Sequence, residues 1–282
     1  MNSLAPELID HIIGHVDRKD RISRSHLQAC SLVCRFWLPS SQCRLFYHID
    51  LSTWWTSDLR ALHFQRLDDV LFNSPHLASH IRVLELPDLS SAIRRCRYWK
   101  DAAGIAEDKR LSSLLRKFTQ VQKLIFWGLA WNLLPEYVRQ SLCRVLELPS
   151  MAVVCIHEAQ CINMDDFTNF LNHARGPIHL SLNPINTSWV PPYSIEVETK
   201  HTEDNKEKFE GHHISQLSQL DLICEDQFVN GLLGPRSYLD LSHIHTLHIS
   251  LPDIQDDSVN QLLCTIGSSL KHVLICLPHV CE

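Results

Sequence analysis

A short apolar run recurs along most of this 282-residue chain, and that recurrence limits the fold more than any other feature. The runs occupy residues 81–86 (IRVLEL), 121–126 (VQKLIF), 152–156 (AVVCI), 178–182 (IHLSL), 217–222 (LSQLDL), 244–249 (IHTLHI) and 271–276 (KHVLIC). Most alternate apolar and polar residues with period two, as half-buried strands do. Aligned on Leu84, Leu124, Val154, Leu180, Leu220, Leu247 and Leu274, they stand about 26 to 30 residues apart, with two intervals near 40. The short intervals fit a leucine-rich repeat of about 20–29 residues, and the long ones fit repeats carrying insertions.

Helix-like stretches lie between the runs. Leu59, Leu62, Leu67, Val70 and Leu71 form one stripe, and Leu111, Leu114, Leu115 and Phe118 a second. Phe167, Phe170 and Leu171 form a third; Val259, Leu262, Leu263 and Ile266 form a fourth. Strand followed by helix, repeated, implies parallel strands in one layer and helices in another. The Leu/Asn consensus of a repeat is degenerate here, so an irregular α/β domain is the alternative. Residues 184–213 differ in character, with Pro184, Pro191 and Pro192 ahead of a mostly charged or polar stretch. They are expected to form an exposed insertion, either a recognition loop or a tolerated surface excursion. No polar capping segment follows the last run before Glu282, which implies a short array or one cut short.

The first fifty residues are patterned differently. Pro6 suits a first helical position and Glu7 the first turn. Leu8, Ile9, Ile12, Ile13 and Val16 make a broad apolar face at helical spacing. A charged stretch, Asp17-Arg18-Lys19-Asp20-Arg21, separates it from a second helix expected to start near Ser25 and to end at Pro39. That helix carries Leu27, Cys30, Val33, Cys34 and Trp37; a third short segment carries Leu45, Phe46 and Ile49.

Three blocks then resemble an F-box: Leu4-x-Pro6-Glu7-Leu8 with Ile12, Cys30-Ser31-Leu32-Val33-Cys34-Arg35-x-Trp37, and Leu45-Phe46-x-x-Ile49-x-Leu51. The pattern is most similar to the large fungal families of F-box-like proteins. It departs from them at Ala5, where Leu-Pro-Pro-Glu is frequent. The resemblance covers residues 4–51. It implies a three-helix domain that docks on a Skp-type adaptor and through it on a cullin–RING ubiquitin ligase. It implies a docking face made by Leu4, Pro6, Glu7, Leu8, Ile12, Val33 and Trp37. The expected fold class is therefore α+β overall. Residues 1–51 would be an F-box-like helical module, and residues 52–282 an irregular α/β, leucine-rich-repeat-like domain with the insertion at 184–213. The expected function is non-catalytic substrate recognition for a ligase, with an unknown protein target on the repeat region. The alternative is a leucine-rich interaction scaffold without ligase coupling.

Composition bounds the other classes. The formal net charge is −6, which argues against the basic footprint that nucleic acid needs and gives no attraction to an acidic membrane. No window approaches the ~18 apolar residues of a spanning helix, and no basic-then-apolar secretory leader is visible. Eleven cysteines without a C-x-x-C pair read as reduced thiols in the cytosol or nucleus.

No phosphate cradle, nucleophile elbow or paired-carboxylate site occurs, so no catalytic residue, metal or cofactor is expected. His11 and His15 have zincin spacing, but Ile12 stands where the Glu belongs. His157-Glu158-x-x-Cys161 lacks a third ligand at defined spacing. His243, His245 and His248 read as solvated or satisfied strand histidines. Arg94-Arg95-x-Arg97-Tyr98-Trp99-Lys100 reads as a solvated basic patch, and Trp54-Trp55 as packing at a junction or an interface anchor.

Overall fold

Parallel strands cannot be joined by tight turns; each needs a crossover of a dozen or more residues. The computed structural model of the chain is built on that rule. It describes residues 4–16, 21–52, 57–86, 109–129, 131, 134–157, 170–183, 216–223, 229, 233, 240–250 and 256–276. The strands are β1 His48–Asp50, β2 Val83–Leu86, β3 Lys123–Trp127, β4 Val153–His157, β5 Ile178–Asn183, β6 Leu217–Ile223, β7 Thr246–Ser250 and β8 His272–Cys276. They form one eight-stranded sheet, all parallel, in the order of the chain.

The register brings the recurring apolar residues side by side. Ile49, Leu84, Leu124, Val154, Leu180, Leu220 and Leu247 make one row. Leu86, Phe126, Ile156, Leu182, Leu222, Ile249 and Ile275 make the next. From β2 to β7 both rows are buried. Each such side chain contributes about 1.5–3 kcal/mol by leaving water. One alignment differs from expectation: Val273, not Leu274, stands beside Leu247. Val273, Leu274 and Ile275 are apolar on both faces of an exposed strand, so alternation alone leaves the register open, and a one-residue slip exchanges the faces.

The strand entries repeat a backbone device. The carbonyl of Tyr47 accepts the N–H groups of Arg82 and Val83, both at 2.9 Å. Arg82 accepts from Gln122 and Lys123, Gln122 from Ala152 and Val153, and His245 from Lys271 and His272. Two serines add a side-chain staple at matching places: Ser150 Oγ donates to the Val121 carbonyl and Ser269 Oγ to that of Ile244, each at 2.8 Å.

Helices cover the buried face. They are α4 Ser57–Asn73, a 3-10 helix Pro75–His80, α5 Lys109–Lys117, α6 Glu136–Leu146 and α7 Asp256–Ile266. Leu111, Leu114 and Leu115 of α5, Val138, Leu142 and Val145 of α6, and Leu262 and Ile266 of α7 are buried in the same core as the strand rows. Helix α5 packs against both α4 and α6. Ser112 and Ser141 meet across the α5–α6 contact at 2.6 Å, so neither buried hydroxyl lacks a partner.

Helices α1 Pro6–Gly14, α2 Arg21–Val33 and α3 Leu38–Phe46 precede the sheet. Helix α2 starts ahead of Ser25. Pro39 opens α3 instead of ending α2, which suits its missing N–H.

The expected α+β class, a separate three-helix module ahead of a leucine-rich-repeat-like array, is corrected by this arrangement. The fold is α/β, one parallel sheet with interleaved helices. Three observations give the reason. Strand β1 follows α3 almost at once and pairs with β2 inside the stretch assigned to the helical module. Helix α3 lies against the 3-10 helix. Phe46 and Ile49 join the large core, not a helical one. The expected insertion at 184–213 lies outside the described residues. No helix among the described residues is long and apolar enough to cross a membrane.

Candidate protein-interaction surfaces

The broad apolar face of α1 is divided. Ile9 and Ile13 are buried against Leu27, with Val16, Cys30, Trp37 and Leu45 packed around them. Leu8 and Ile12, one turn apart on the other side, are 52% and 43% exposed, and Leu4, ahead of the helix, is 47% exposed. Helix α3 holds α1 in place. Arg44 donates to the Gly14 carbonyl at 3.0 Å, capping the negative end of the helix, and Ser40 donates to Asp10. A Cβ at Gly14 would stand 2.9 Å from the end of the flexible Arg44 side chain, so a larger residue there would ask that guanidinium to shift.

Of the residues the resemblance implied for docking, Leu4, Pro6, Glu7, Leu8, Ile12 and Val33 are at the surface. Trp37 is half-buried and packs on the small core. The pattern missed Leu32 and Phe36, which are 85% and 66% exposed. A signal for Leu32 was present: it falls off the Leu27–Cys30–Cys34 stripe, so the helix cannot bury it together with that stripe.

The second surface is the sheet face turned away from the helices. There the alternate strand residues form laterally adjacent rows. One runs His48, Val83, Lys123, Val153, His179, Gln219, Thr246, His272. The next runs Asp50, Glu85, Ile125, Cys155, Ser181, Asp221, His248, Leu274. Beyond them Trp127, His157 and Asn183 stand in register, as do Ile223, Ser250 and Cys276.

These rows are tied across the strands. The Glu85 carboxylate meets His48 Nε2 at 3.0 Å and accepts from Ser52 Oγ at 3.3 Å and from Trp127 Nε1. The Trp127 ring stacks on His157 with centroids 4.4 Å apart. Asn183 Nδ2 donates to His157 Nδ1 at 3.2 Å. Farther along, Asp221 lies between His179 Nε2 at 2.6 Å and His248 Nδ1 at 3.0 Å, and also accepts from Gln219 Nε2 at 3.2 Å. Burial holds the Cys155 thiol above its ordinary range, although Lys123 beside it pulls the other way. The result is a largely polar face with two clusters, at Glu85 and at Asp221, whose side chains are held by their neighbours, which lowers their ordering cost on binding. Trp127 is its exposed aromatic, the residue type that anchors interfaces.

A cleft of about 460 Å³ lies beside α6, lined by Trp131, Glu136, Arg139, Cys143, Glu147 and His173 among others. Its charges are largely paired: Arg139 with Glu136 at 2.6 Å and His173 with Glu147 at 3.1 Å. Burial first, then the carboxylates of Glu147 and Glu136, pushes the Cys143 thiol up to about 12. A protonated thiol is not an activated nucleophile.

The remaining sequence motifs are placed as follows. His11 of α1 and His15 just after it face each other at the surface, Nε2 to Nε2 at 3.1 Å. His243 and His245 precede β7, with His243 3.4 Å from Asp240, while His248 belongs to the open face. Glu158 and Cys161, the basic patch at 94–100, and Trp54 and Trp55 lie outside the described residues. Among the described residues no group of three or more His, Cys, Asp or Glu could hold a metal ion. The chain matches no family model, and no curated protein gives a match to it.

Proposed function

We propose that this chain is a non-catalytic recognition subunit that joins a protein target to a Skp-type adaptor, and through it to a cullin–RING ubiquitin ligase. The observation that carries the reading is the set of large apolar side chains left exposed around the N-terminal helices: Leu4 ahead of α1, Leu8 and Ile12 on it, and Leu32, Val33 and Phe36 farther along. Six such side chains within residues 4–36 exceed the singly scattered exposure of an ordinary surface and support a docking face. They lie within the blocks that resemble an F-box. The open sheet face, polar, pre-ordered and carrying Trp127, is the surface for the target. The mechanism is proximity: two bound partners share a high effective concentration, and a separate enzyme does the chemistry. The free thiols at Cys30, Cys34, Cys43, Cys143, Cys155, Cys264 and Cys276 suit a reducing compartment, cytosol or nucleus.

The test is titration of the full chain with a purified Skp-type adaptor. A Leu8→Asp, Val33→Asp variant should bind at least tenfold more weakly, about 1.4 kcal/mol or more, while Trp127→Ala binds as well as the parent chain. Leu8 and Val33 are exposed, so the fold should survive, and circular dichroism checks it. Full-strength binding by the double variant, or none by the folded parent, would remove the ligase reading. It would leave an interaction scaffold that works through the sheet face alone.

A further inference from the structure

The charges on the open face are unevenly answered. Asp50, Glu85 and Asp221 lie in one row, against the single described cation Lys123 in the row beside it. Lys123 is drawn to Cys155, two strands from Asp221. Around Asp221 the neighbours are imidazoles and amides: His179 from β5, Gln219 from β6 and His248 from β7, with His272 beyond on β8. Around Glu85 they are His48 from β1, Ser52 and Trp127. Among the described residues no lysine or arginine pairs with either carboxylate. Among the described residues the face therefore carries three carboxylates against one lysine.

Asp221 and the exposed face of Trp127 are separated by the spacing of three strands and one step between rows, roughly 15 Å. An extended segment covers that in about four or five residues.

We propose that the open sheet face takes an extended segment of a partner protein, seating a lysine or arginine at Asp221 and an apolar side chain at Trp127 four or five positions away. This rests on the reading of the sheet face as the target surface, and it supplies the partner chemistry.

The probe is a displayed library of random twelve-residue peptides, selected on the full chain near pH 7.5 and resynthesised for titration. Selected peptides should pair a basic with an apolar or aromatic residue at that spacing. Asp221→Asn should weaken them at least tenfold with the fold intact by circular dichroism, and Trp127→Ala likewise. Peptides weakened by Trp127→Ala but indifferent to Asp221→Asn would overturn this proposal and leave the target surface standing. Peptides indifferent to both substitutions, or no enrichment at all, would overturn the proposal and the surface together.

Discussion

At the scale of single residues, the surroundings of a side chain decide what it can do more than its type does. The chain has eleven cysteines; of the seven described, Cys30 is intermediate in exposure and the other six fall into two groups. Cys34, Cys43, Cys264 and Cys276 are exposed. Cys143 and Cys155 are withdrawn from water, and burial raises both thiols. Alkylation of the native protein near pH 8 should therefore label the exposed group and spare Cys143 and Cys155, because the thiolate is the reacting form. Mass spectrometry of digests reads the sites, and denaturant should release the protected pair. Early labelling of Cys143 would contradict its placement. The sign for stability follows from the same shift. Folded Cys143 keeps its proton up to about 12, while an ordinary thiol loses it near 9.0. The folded form thus binds more protons in that interval, and this contribution to stability is lost as pH rises through it. Residues of this kind are illegible in sequence: nothing in Ser141-Leu142-Cys143-Arg144 says that two glutamates and a core enclose the sulfur.

At the scale of elements, period-two alternation set against helical spacing was legible, and six of the seven residues that it aligned share one row. Leu84, Leu124, Val154, Leu180, Leu220 and Leu247 align in space as they align in the sequence. The reading failed where one signal served two geometries. The apolar residues of β8 fit either register. Pro39 was read as a stop for α2, although the same missing N–H makes it a good first residue for α3. The apolar face of α1 could not be divided from sequence into its buried and bare sides, because Leu8 and Ile9 are equally apolar and only the position of Leu27 separates them. The position of a strand in the sheet also sets the cost of changing it. Leu124→Ala removes a fully buried side chain flanked by Leu84 and Val154 and should cost about 2–5 kcal/mol. Val273→Ala, at a site 46% exposed on the outer strand, should cost well under half of that. Urea unfolding of the two variants is the comparison, and equal losses would deny that the core thins toward β8.

At the scale of the whole molecule, each strand touches only the strand made before it and the one made after it, so contact propagates along the array as in a one-dimensional stack. Such a stack opens from its less covered end. Every residue of β8 is exposed, whereas β3 to β7 keep buried rows on the helix side. Native-state amide hydrogen exchange should therefore be fastest in β8, slower in β7 and slowest in β3 and β4. A uniform rate across the sheet would mean that the array opens only as a whole. The expectation of a separate N-terminal module failed at this scale. A boundary is set by what a strand pairs with, and the partner of His48–Asp50 lies in Val83–Leu86, far outside any local window.

Because strand order equals chain order, the order of assembly can equal the order of synthesis. When β4 leaves the ribosome its partner β3 has already emerged, and the same holds for each later strand. The carbonyls of Tyr47, Arg82 and Gln122, each waiting for a pair of N–H groups from the following unit, are the points at which the growing polypeptide is caught. A nascent chain built this way needs no contact with a segment not yet translated, and an insertion or loss of one unit in its gene leaves the units on either side with neighbours of the same kind.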